Sequence, residues 1–376
     1  MRIGLDGYPL AWAKTGVGHY TFELARALSR LAPADEFQLI SPVSFAGSVA
    51  ADLAPIPNLH AVNPRTNSIT RRWWGIGLPR YVRRAALDLF HGTNYEVPLW
   101  NRERSVVTVH DLSVFRHPDK HEQRVAWRAR RRLPIMLRSS AMIITPTEAV
   151  KREVCEQFKI DSQRVAVTPE APRKSFQPMP LSDCARTLRR LGIEDNFILF
   201  AGTIEPRKNL STLVRAFEEV LRHTPHRPQL VIAGGEGWLP NELRGLIGRS
   251  DAGDRLRLTG YVDDQDLRAL YSSCQAFVYP SLYEGFGLPP LEAMACGAPV
   301  IAGRIPATVE VLKDNAFLVD PLDDKALAKA ISDVLENENE RRRLSSVGLQ
   351  HAAKFSWEQT ARLTLEVYKR VAETRP

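Results

Sequence analysis

Short apolar runs alternate with amphipathic stretches along the whole chain. A short apolar run predicts a buried strand, and apolar positions three and four residues apart predict a helix with one buried face. Because this alternation is typical of parallel sheets with crossover helices, the sequence predicts an α/β fold. The predicted strands cover residues 2–6, 37–41, 87–91, 105–110, 142–145, 165–168, 197–202, 229–233, 256–259, 276–280, 299–302 and 316–319. The predicted helices cover residues 19–31, 147–158, 209–223, 263–272, 288–296, 325–337 and 357–372.

Length and proline spacing predict two domains. The chain has 376 residues, more than one hydrophobic core normally serves. Prolines cluster between residues 168 and 180, where the charge balance also changes. We therefore expect a first domain over residues 1–172 and a second domain that begins at residue 173. Each half has the pattern of a doubly wound sheet, in which ligands bind at the carboxyl ends of the strands.

Composition narrows the class of protein. No apolar run approaches the length of a membrane span, and the N-terminus lacks the apolar core of a signal peptide. The four cysteines, Cys155, Cys184, Cys274 and Cys296, form no C-x-x-C pair, as is typical of reduced thiols in the cytoplasm. We therefore expect a cytoplasmic protein without a disulfide framework or a zinc site.

The net charge of +8 comes entirely from the first half of the chain. Residues 1–172 hold 24 Lys and Arg against 16 Asp and Glu, whereas residues 173–376 hold 27 of each. The excess concentrates at Arg71-Arg72-Trp73-Trp74 and between residues 124 and 138. Arginines beside tryptophans suit anionic lipid headgroups or a lipid diphosphate at the inner membrane face, and a merely solvated basic surface is the alternative. No nucleic-acid motif accompanies the charge, so we expect no nucleic-acid partner.

The segment over residues 281–297, SLYEGFGLPPLEAMACG, carries the clearest chemistry. Glu284 follows a predicted strand, and Gly285 and Gly287 let backbone approach a ligand closely before a helix begins. The bare amides of a helix N-terminus attract phosphate. Glu292 lies eight positions after Glu284, which corresponds to a separation of roughly 12 Å along a helix. The paired carboxylates of a glycosidase lie closer together, about 5 to 9.5 Å apart. The spacing favours two carboxylates at opposite ends of a nucleotide sugar. The alternative is that Glu284 caps the start of the helix and Glu292 is a solvated residue on a helix face.

At these residues the sequence resembles the retaining family-4 glycosyltransferases of GT-B fold. Their signature is E-x7-E within S-x-x-E-G-F-G-L-P-x-L-E-A-M-A-x-G-x-P-V. The resemblance extends over essentially the whole chain. It implies two Rossmann-like domains facing across a cleft, with an acceptor-side first domain and a nucleotide-sugar-binding second domain that ends at residue 355. It also implies a last helix, over residues 356–376, that crosses back onto the first domain.

The resemblance also implies roles for individual residues. Glu284 and His110 hold the donor sugar, Glu292 holds the ribose, and Lys208 contacts the departing diphosphate. Family members carry an arginine directly after Gly202, where this chain has Thr203, so Arg207 is the candidate replacement. For His110 a local hydrogen bond to Asp111 is the alternative, and for Arg207 a surface basic pair. The residues expected to bind the donor are Gly16, Gly18, Thr203, Val262, Gly285, Phe286, Gly287, Leu288 and Glu292, and those expected to be catalytic are His110, Glu284, Lys208 and Arg207.

No metal site and no cofactor are expected. Residues 263–266 contain a D-x-D, but Asp263 suits a helix N-cap, and acidic residues suit a first helical turn. Fixed cations and helix amides can stabilise a departing diphosphate in place of a divalent cation.

The sequence therefore predicts a retaining hexosyltransferase that acts on a cell-surface glycan or a lipid-diphosphate-linked saccharide. Segments 17–20, 110–112 and 205–209 look like those of bacterial mannosyltransferases, so GDP-mannose is the leading donor and a UDP-hexose the alternative. A nucleotide-sugar epimerase or phosphorylase of the same architecture is a further alternative. A dinucleotide-dependent oxidoreductase would need a complete G-x-G-x-x-G, which neither half provides.

Overall fold

Two parallel sheets organise the protein, as the alternating pattern predicts. The structure, a computed structural model, describes residues 1–12, 16–53, 55–99, 104–225, 227–235, 245, 248 and 250–373. Its strands are β1 Arg2–Asp6, β2 Glu36–Ile40, β3 Leu59–Val62, β4 Leu89–Gly92, β5 Ser105–Thr108, β6 Met142–Thr145, β7 Val165–Val167, β8 Phe197–Ala201, β9 Gln229–Ala233, β10 Leu256–Gly260, β11 Ala276–Tyr279, β12 Val300–Gly303 and β13 Phe317–Val319.

The helices that the structure describes are α1 Gly16–Leu31, α2 Gly47–Leu53, α3 Leu78–Arg84, α4 Ser113–Arg116, α5 Gln123–Arg138, α6 Glu148–Phe158, α7 Leu181–Leu191, α8 Leu210–His223, α9 Asp264–Ser273, α10 Leu288–Ala295, α11 Pro306–Leu312, α12 Asp324–Glu336, α13 Glu338–Ala352 and α14 Trp357–Glu373. Within these described segments, no helix combines the length and apolar character needed to cross a membrane.

The chain divides into two compact units. Unit 1 contains Met1–Arg116, Gln123–Glu170 and Ser356–Pro376, and unit 2 contains His117–Glu122 and Ala171–Phe355. The main boundary therefore lies between Glu170 and Ala171, two residues before the boundary after residue 172 that the prolines predict. A difference from the sequence analysis is the segment 117–122, which groups with unit 2 although it lies within the predicted first domain. One contact explains this grouping: the ring of His117 lies 5.5 Å from that of Tyr283, a residue of unit 2.

Strand order reverses once within each sheet. The described strands of unit 1 run β3-β2-β1-β4-β5-β6-β7, and those of unit 2 run β10-β9-β8-β11-β12-β13. The reversals fall between β1 and β4 and between β8 and β11, and loops that leave such a point in opposite directions open a crevice for a ligand. Strands β4, β5, β6, β8, β9, β11 and β12 are buried at every residue, as is typical of parallel strands that are covered on both faces.

The last helix is anchored inside unit 1. Helix α14 packs against α1, and the hydroxyl of Tyr368 hydrogen-bonds to Nδ1 of the buried His91 over 2.7 Å. The hydroxyl of Thr360 donates to the carbonyl of Pro169 over 2.6 Å. Residues 374–376 of the predicted segment lie outside the described residues.

The sequence analysis missed several elements. Strand β3 is short and half-exposed at the sheet edge, so it lacks a continuous apolar run. Helices α5 and α13 are rich in charge, and α5 also contains Pro134, which normally ends a helix. Helix α1 begins at Gly16, three residues before the predicted start, so Gly16 and Gly18 lie in its first turn and not in a loop before it.

Candidate active site

Two loops of unit 2 bring a lysine and a carboxylate together. Lys208 ends a short 3-10 turn after β8, and Glu284 lies in the loop after β11. Lys208 Nζ lies 2.7 Å from Glu284 Oε1, with both side chains 9% exposed. Asn209 fixes the first loop: its backbone is left-handed, with φ of 58°, and its Nδ2 donates to the Pro280 carbonyl over 3.1 Å. The strand reversal between β8 and β11 therefore carries a fixed ion pair.

Arg207 contacts the other oxygen of the same carboxylate. Its Nη1 lies 3.1 Å from Glu284 Oε2 and donates to the Tyr283 carbonyl over 3.0 Å. Its Nη2 donates to Glu205 over 2.5 Å. Arg207 is therefore not a loose surface cation, because its guanidinium links both loops. The cluster of Glu205, Arg207, Lys208 and Glu284 holds two carboxylates and two cations.

The pKa of Glu284 follows from these contacts. Burial by itself raises the pKa of a carboxyl, but here Lys208 and Arg207 outweigh it and hold the pKa of Glu284 at about 2. Burial and the neighbouring Arg207 lower the pKa of Lys208, while Glu284 opposes them. Because Glu284 is ionised at neutral pH, it can accept hydrogen bonds and stabilise positive charge, but it has no proton to donate.

Glu292 lies in helix α10 and forms a two-point ion pair. Arg173 Nε donates to Glu292 Oε1 over 2.8 Å, and Arg173 Nη2 donates to Oε2 over 3.0 Å. Arg173 Nη1 reaches Asp264 over 2.6 Å, and its guanidinium lies 4.1 Å from the ring centre of Phe176. Burial raises the pKa of Glu292, and Arg173 opposes this. Each carboxylate oxygen has a further lone pair, so a ribose role stays open and stays a prediction.

The glycine segment before α10 has the geometry of a tight turn. Gly287 caps the helix in the left-handed region, with φ of 95°. The side chain of Phe286 is buried against Phe355, with ring centres 6.0 Å apart, and Leu288 packs against the core. Phe286 and Leu288 therefore offer a ligand their backbone amides and not their side chains. Contact of Gly285 with a diphosphate remains a prediction.

Two other predicted donor contacts lie at strand ends of unit 2. Thr203 is exposed two residues after β8, and Val262 is half-buried two residues after β10. Asp263 caps α9 by accepting the amide of Asp266 over 2.8 Å, as predicted. Asp266 contacts Arg190, so the acidic residues here have structural partners. Within the described segments, no group of three or more His, Cys, Asp and Glu side chains could hold a metal ion.

His110, in unit 1, has partners other than the neighbour considered from sequence. Its Nδ1 lies 3.1 Å from Glu170 Oε1, and its Nε2 lies 2.8 Å from the Thr93 carbonyl. Asp111 instead accepts the amide of Ser113 over 2.8 Å, so the local pair with Asp111 is wrong. Burial lowers the pKa of His110, but Glu170 outweighs it and the net direction is upward. A role of His110 beside a donor sugar stays a prediction.

Sequence reasoning missed several site residues. Glu170 and Arg173 lie in the proline-rich stretch interpreted as a linker, although a charged residue just after a strand could have drawn attention. The sequence predicts only a strand position for Tyr279, but in the structure its hydroxyl contacts Lys208 Nζ. Asp6 ends β1 with one carboxyl oxygen buried and without a hydrogen-bond partner among the described residues, and burial raises its pKa to about 8.

Family descriptions match both halves of the chain. Residues 14–171 match "Glycosyltransferase Family 4", and residues 188–351 match "Glycosyl transferases group 1". An O-antigen chain mannosyltransferase B of Escherichia coli is 30% identical over 98% of this chain and 100% of its own length. The chain is a family-4 glycosyltransferase.

Further comparisons place this glycosyltransferase among bacterial relatives. The O-antigen chain mannosyltransferase RfbU of Salmonella typhimurium is 26% identical over 89% of both chains. The solved structure of Anabaena Alr3699/HepE in complex with UDP and glucose matches with a TM-score of 0.74 at 19% identity, covering 98% of this chain and 99% of that one. At that identity the likeness shows the fold, which is GT-B.

We predict that Glu284→Gln weakens the acid dependence of the glycosyltransferase's stability. Since the pKa of Glu284 is about 2 in the fold and 4.5 ordinarily, its ionised form stabilises the native state above about pH 5, and this contribution is lost as the pH falls toward 2. At pH 7 the substitution removes the carboxylate from the buried Lys208 and leaves Arg207 with Glu205 alone, a loss of about 3 kcal/mol. Melting temperatures of both proteins between pH 7 and 3 should therefore converge; a constant difference at every pH would contradict the ion pair.

Proposed function

We propose that this glycosyltransferase transfers a hexose from a nucleoside diphosphate sugar, with retention of anomeric configuration, to a saccharide of a cell-surface glycan. The leading donor is GDP-mannose, and the acceptor is a glycan or lipid-diphosphate-linked saccharide. The buried cluster of Lys208, Arg207 and Glu284 is the observation that carries the proposal. It combines fixed cations for a leaving diphosphate with an ionised carboxylate for the sugar.

The cations stabilise the leaving group. As the bond to the sugar breaks, negative charge grows on the diphosphate, and Lys208 and Arg207 are held in place before it arrives. Preorganised donors of this kind need no reorganisation at the moment of reaction. Pro289 and Pro290 of α10 have no N–H, so the amides at the positive end of this helix dipole are those of residues 285–288. These groups supply the neutralisation that a divalent cation supplies elsewhere, so we expect no metal requirement.

The carboxylates act on the two ends of the donor. Glu284 is ionised, so it can accept hydrogen bonds from sugar hydroxyls and stabilise positive charge at the anomeric carbon. Since Lys208 and Arg207 hold the pKa of Glu284 at about 2, this carboxylate is a weak base, and the departing phosphate oxygen is the base we assign to the acceptor hydroxyl. Glu292 accepts hydrogen bonds from the ribose on the lone pairs that Arg173 leaves unused.

The relatives support mannose and a glycan acceptor. Two of them are named O-antigen chain mannosyltransferases, and one matches over its full length. The HepE structure, with UDP and glucose, supports the alternative of a UDP-hexose donor.

A panel of nucleotide sugars tests the donor. We expect GDP-mannose to raise the melting temperature more than UDP-, ADP- or TDP-sugars, because binding to the native state alone stabilises it. With the best donor, NMR of the product should show the anomeric configuration of the donor. No stabilisation by any activated sugar would contradict the proposal, and an inverted product would contradict retention.

We predict that Lys208→Ala mainly lowers the turnover number, whereas Glu292→Gln mainly weakens binding of the donor. Lys208→Ala should lower kcat by about 10²-fold or more, because it removes a charge that acts mainly in the transition state. Glu292→Gln should weaken nucleotide binding, because an amide presents one acceptor oxygen to the ribose diol instead of two. Steady-state kinetics and nucleotide titrations measure both effects.

Matched variants control for indirect effects. Arg222→Ala removes an exposed cation of α8 and should leave kcat within about twofold. Asp264→Asn removes the other carboxylate of Arg173 without touching Glu292. Equal loss of nucleotide affinity in Asp264→Asn and Glu292→Gln would show that Glu292 acts only through Arg173.

We also propose that helix α5 contacts an anionic membrane surface, which would bring the enzyme to a lipid-linked acceptor. Three apolar side chains on this arginine-rich helix are exposed: Val125 by 50%, Trp127 by 57% and Ile135 by 50%. Arg131 lies over the ring of Trp127, 4.3 Å from its centre. Arginines and an exposed indole suit the headgroup region of a bilayer.

We predict that the double variant Val125→Ser with Trp127→Ser loses association with vesicles of phosphatidylglycerol and phosphatidylcholine in a flotation assay. Leu322→Ser, which removes a 75% exposed apolar side chain of unit 2, should float like the parent protein. Absence of the parent protein from the vesicle fraction at low salt would exclude the membrane contact.

A further inference from the structure

A basic cavity lies wholly within unit 1. Its volume is about 530 Å³, and it opens where chain segments leave β1 and β2, at the carboxyl edge of the sheet. Ligands of doubly wound sheets bind at this edge. The residues of its wall that bear charge or aromatic rings are Tyr8, Arg71, Arg72, Trp73, Trp74 and Arg132.

The positive charge of the cavity is not balanced. Arg71 and Arg72 are exposed, and neither has a carboxylate within ion-pair distance in the described part of the chain. Arg132 pairs with Glu96 over 2.7 Å. Two adjacent guanidinium groups without an anion favour a ligand with several oxygens, because each group can form two parallel hydrogen bonds to a phosphate.

Aromatic side chains line the same cavity. Tyr8 is 37% exposed, with its ring edge-on to Trp12 at 4.8 Å between ring centres, and Trp74 is half-buried. An aromatic face is electron-rich, so it attracts the slightly positive C–H groups on the face of a sugar ring. The wall therefore combines contacts for an oxyanion with contacts for a saccharide.

The backbone that carries these residues has an unusual conformation. Residues 73–77 form one turn of π-helix, in which the amide of Gly77 donates to the carbonyl of Arg72 over 3.3 Å. A Cβ at Gly77 would lie 2.4 Å from the Thr70 carbonyl, so the turn requires glycine there. Turns of this type are rare and frequently mark functional sites.

We infer that this cavity binds a phosphorylated saccharide, with Arg71 and Arg72 on the phosphate and Tyr8 and Trp74 on the sugar. The inference rests on the proposed function and deepens it, because it makes the acceptor an anionic saccharide and assigns its site. The residues expected to bind the donor diphosphate, Lys208 and Arg207, lie in unit 2. Binding of the nucleotide and binding of the phosphorylated saccharide can therefore be measured separately.

Isothermal titration tests the site on the full chain. Hexose and N-acetylhexosamine 1-phosphates are titrated into enzyme saturated with the nucleoside diphosphate that binds best, which occupies the donor site. We expect binding of a sugar phosphate, no detectable binding of the matching neutral sugar, and a rise in Kd of about tenfold or more in the double variant Arg71→Gln with Arg72→Gln. Trp74→Ala should also weaken binding, and the Arg71 and Arg72 variant should keep the parent's nucleotide affinity and melting temperature.

The control double variant is Arg83→Gln with Arg84→Gln, which removes the same charge from exposed positions on α3. It should change Kd by less than about twofold. Equal losses in the two double variants would show only general charge attraction, and an unchanged Kd in the Arg71 and Arg72 variant would exclude the cavity.

Vesicle flotation tests whether the ligand of the cavity is a saccharide phosphate or a lipid headgroup. The Arg71 and Arg72 variant should still associate with phosphatidylglycerol vesicles. Loss of flotation without loss of sugar phosphate binding would overturn the inference in favour of a headgroup site. Failure of every nucleotide to bind would instead contradict the proposed function, and the cavity would then be titrated without nucleotide.

Discussion

The buried ion pair of Lys208 and Glu284 is the constraint on which the chemistry of unit 2 depends. Neither charge could be buried alone, because each would lose its hydration without a compensating partner. The loop after β8 and the loop after β11 must therefore stay in register, and Asn209 and Arg207 tie them further. These strands are neighbours where the strand order reverses, which is the point at which ligands of such sheets bind. The topology thus places the ion pair at the strand reversal, and the ion pair fixes the two loops relative to each other.

Unit 1 repeats this topology with different electrostatics. Its strand order reverses between β1 and β4, and burial raises the pKa of Asp6, at the end of β1, to about 8. In the described part of the chain Arg71 and Arg72 of the nearby cavity have no carboxylate within ion-pair distance, whereas Arg207 and Lys208 of unit 2 are matched by Glu205 and Glu284. An anion entering unit 2 must compete with carboxylates already in place, which favours a ligand that contacts several groups at once. An anion that binds Arg71 and Arg72 meets no such competitor among the described residues.

The parts of the fold and site that sequence could predict are those encoded locally. The strand before Glu284, the glycine turn and the start of α10 follow one another within a few residues, so periodicity and turn chemistry placed that carboxylate at a strand end. The partner of Glu292 lies 119 residues away, and the partner of His110 lies 60 residues away. A local sequence pattern cannot predict such distant pairs. Both partners, Glu170 and Arg173, lie in the proline-rich stretch, whose composition favours a linker. The sequence analysis missed strand β3 for a related reason, because a half-exposed edge strand has no continuous apolar run.

The pKa of Glu284 also determines how the site can respond to a donor. A diphosphate that binds Lys208 and Arg207 brings negative charge close to Glu284 and takes a share of its hydrogen-bond donors. Both effects raise the pKa of this carboxyl. Because the pKa starts at about 2, a large rise still leaves the group ionised at neutral pH. A carboxylate without these two neighbours, in an equally buried place, would begin above its ordinary 4.5 and would take up a proton when the anion arrived. Under the proposed function the cations beside Glu284 therefore have two roles: they would bind the diphosphate, and they would keep the carboxylate charged after it has bound.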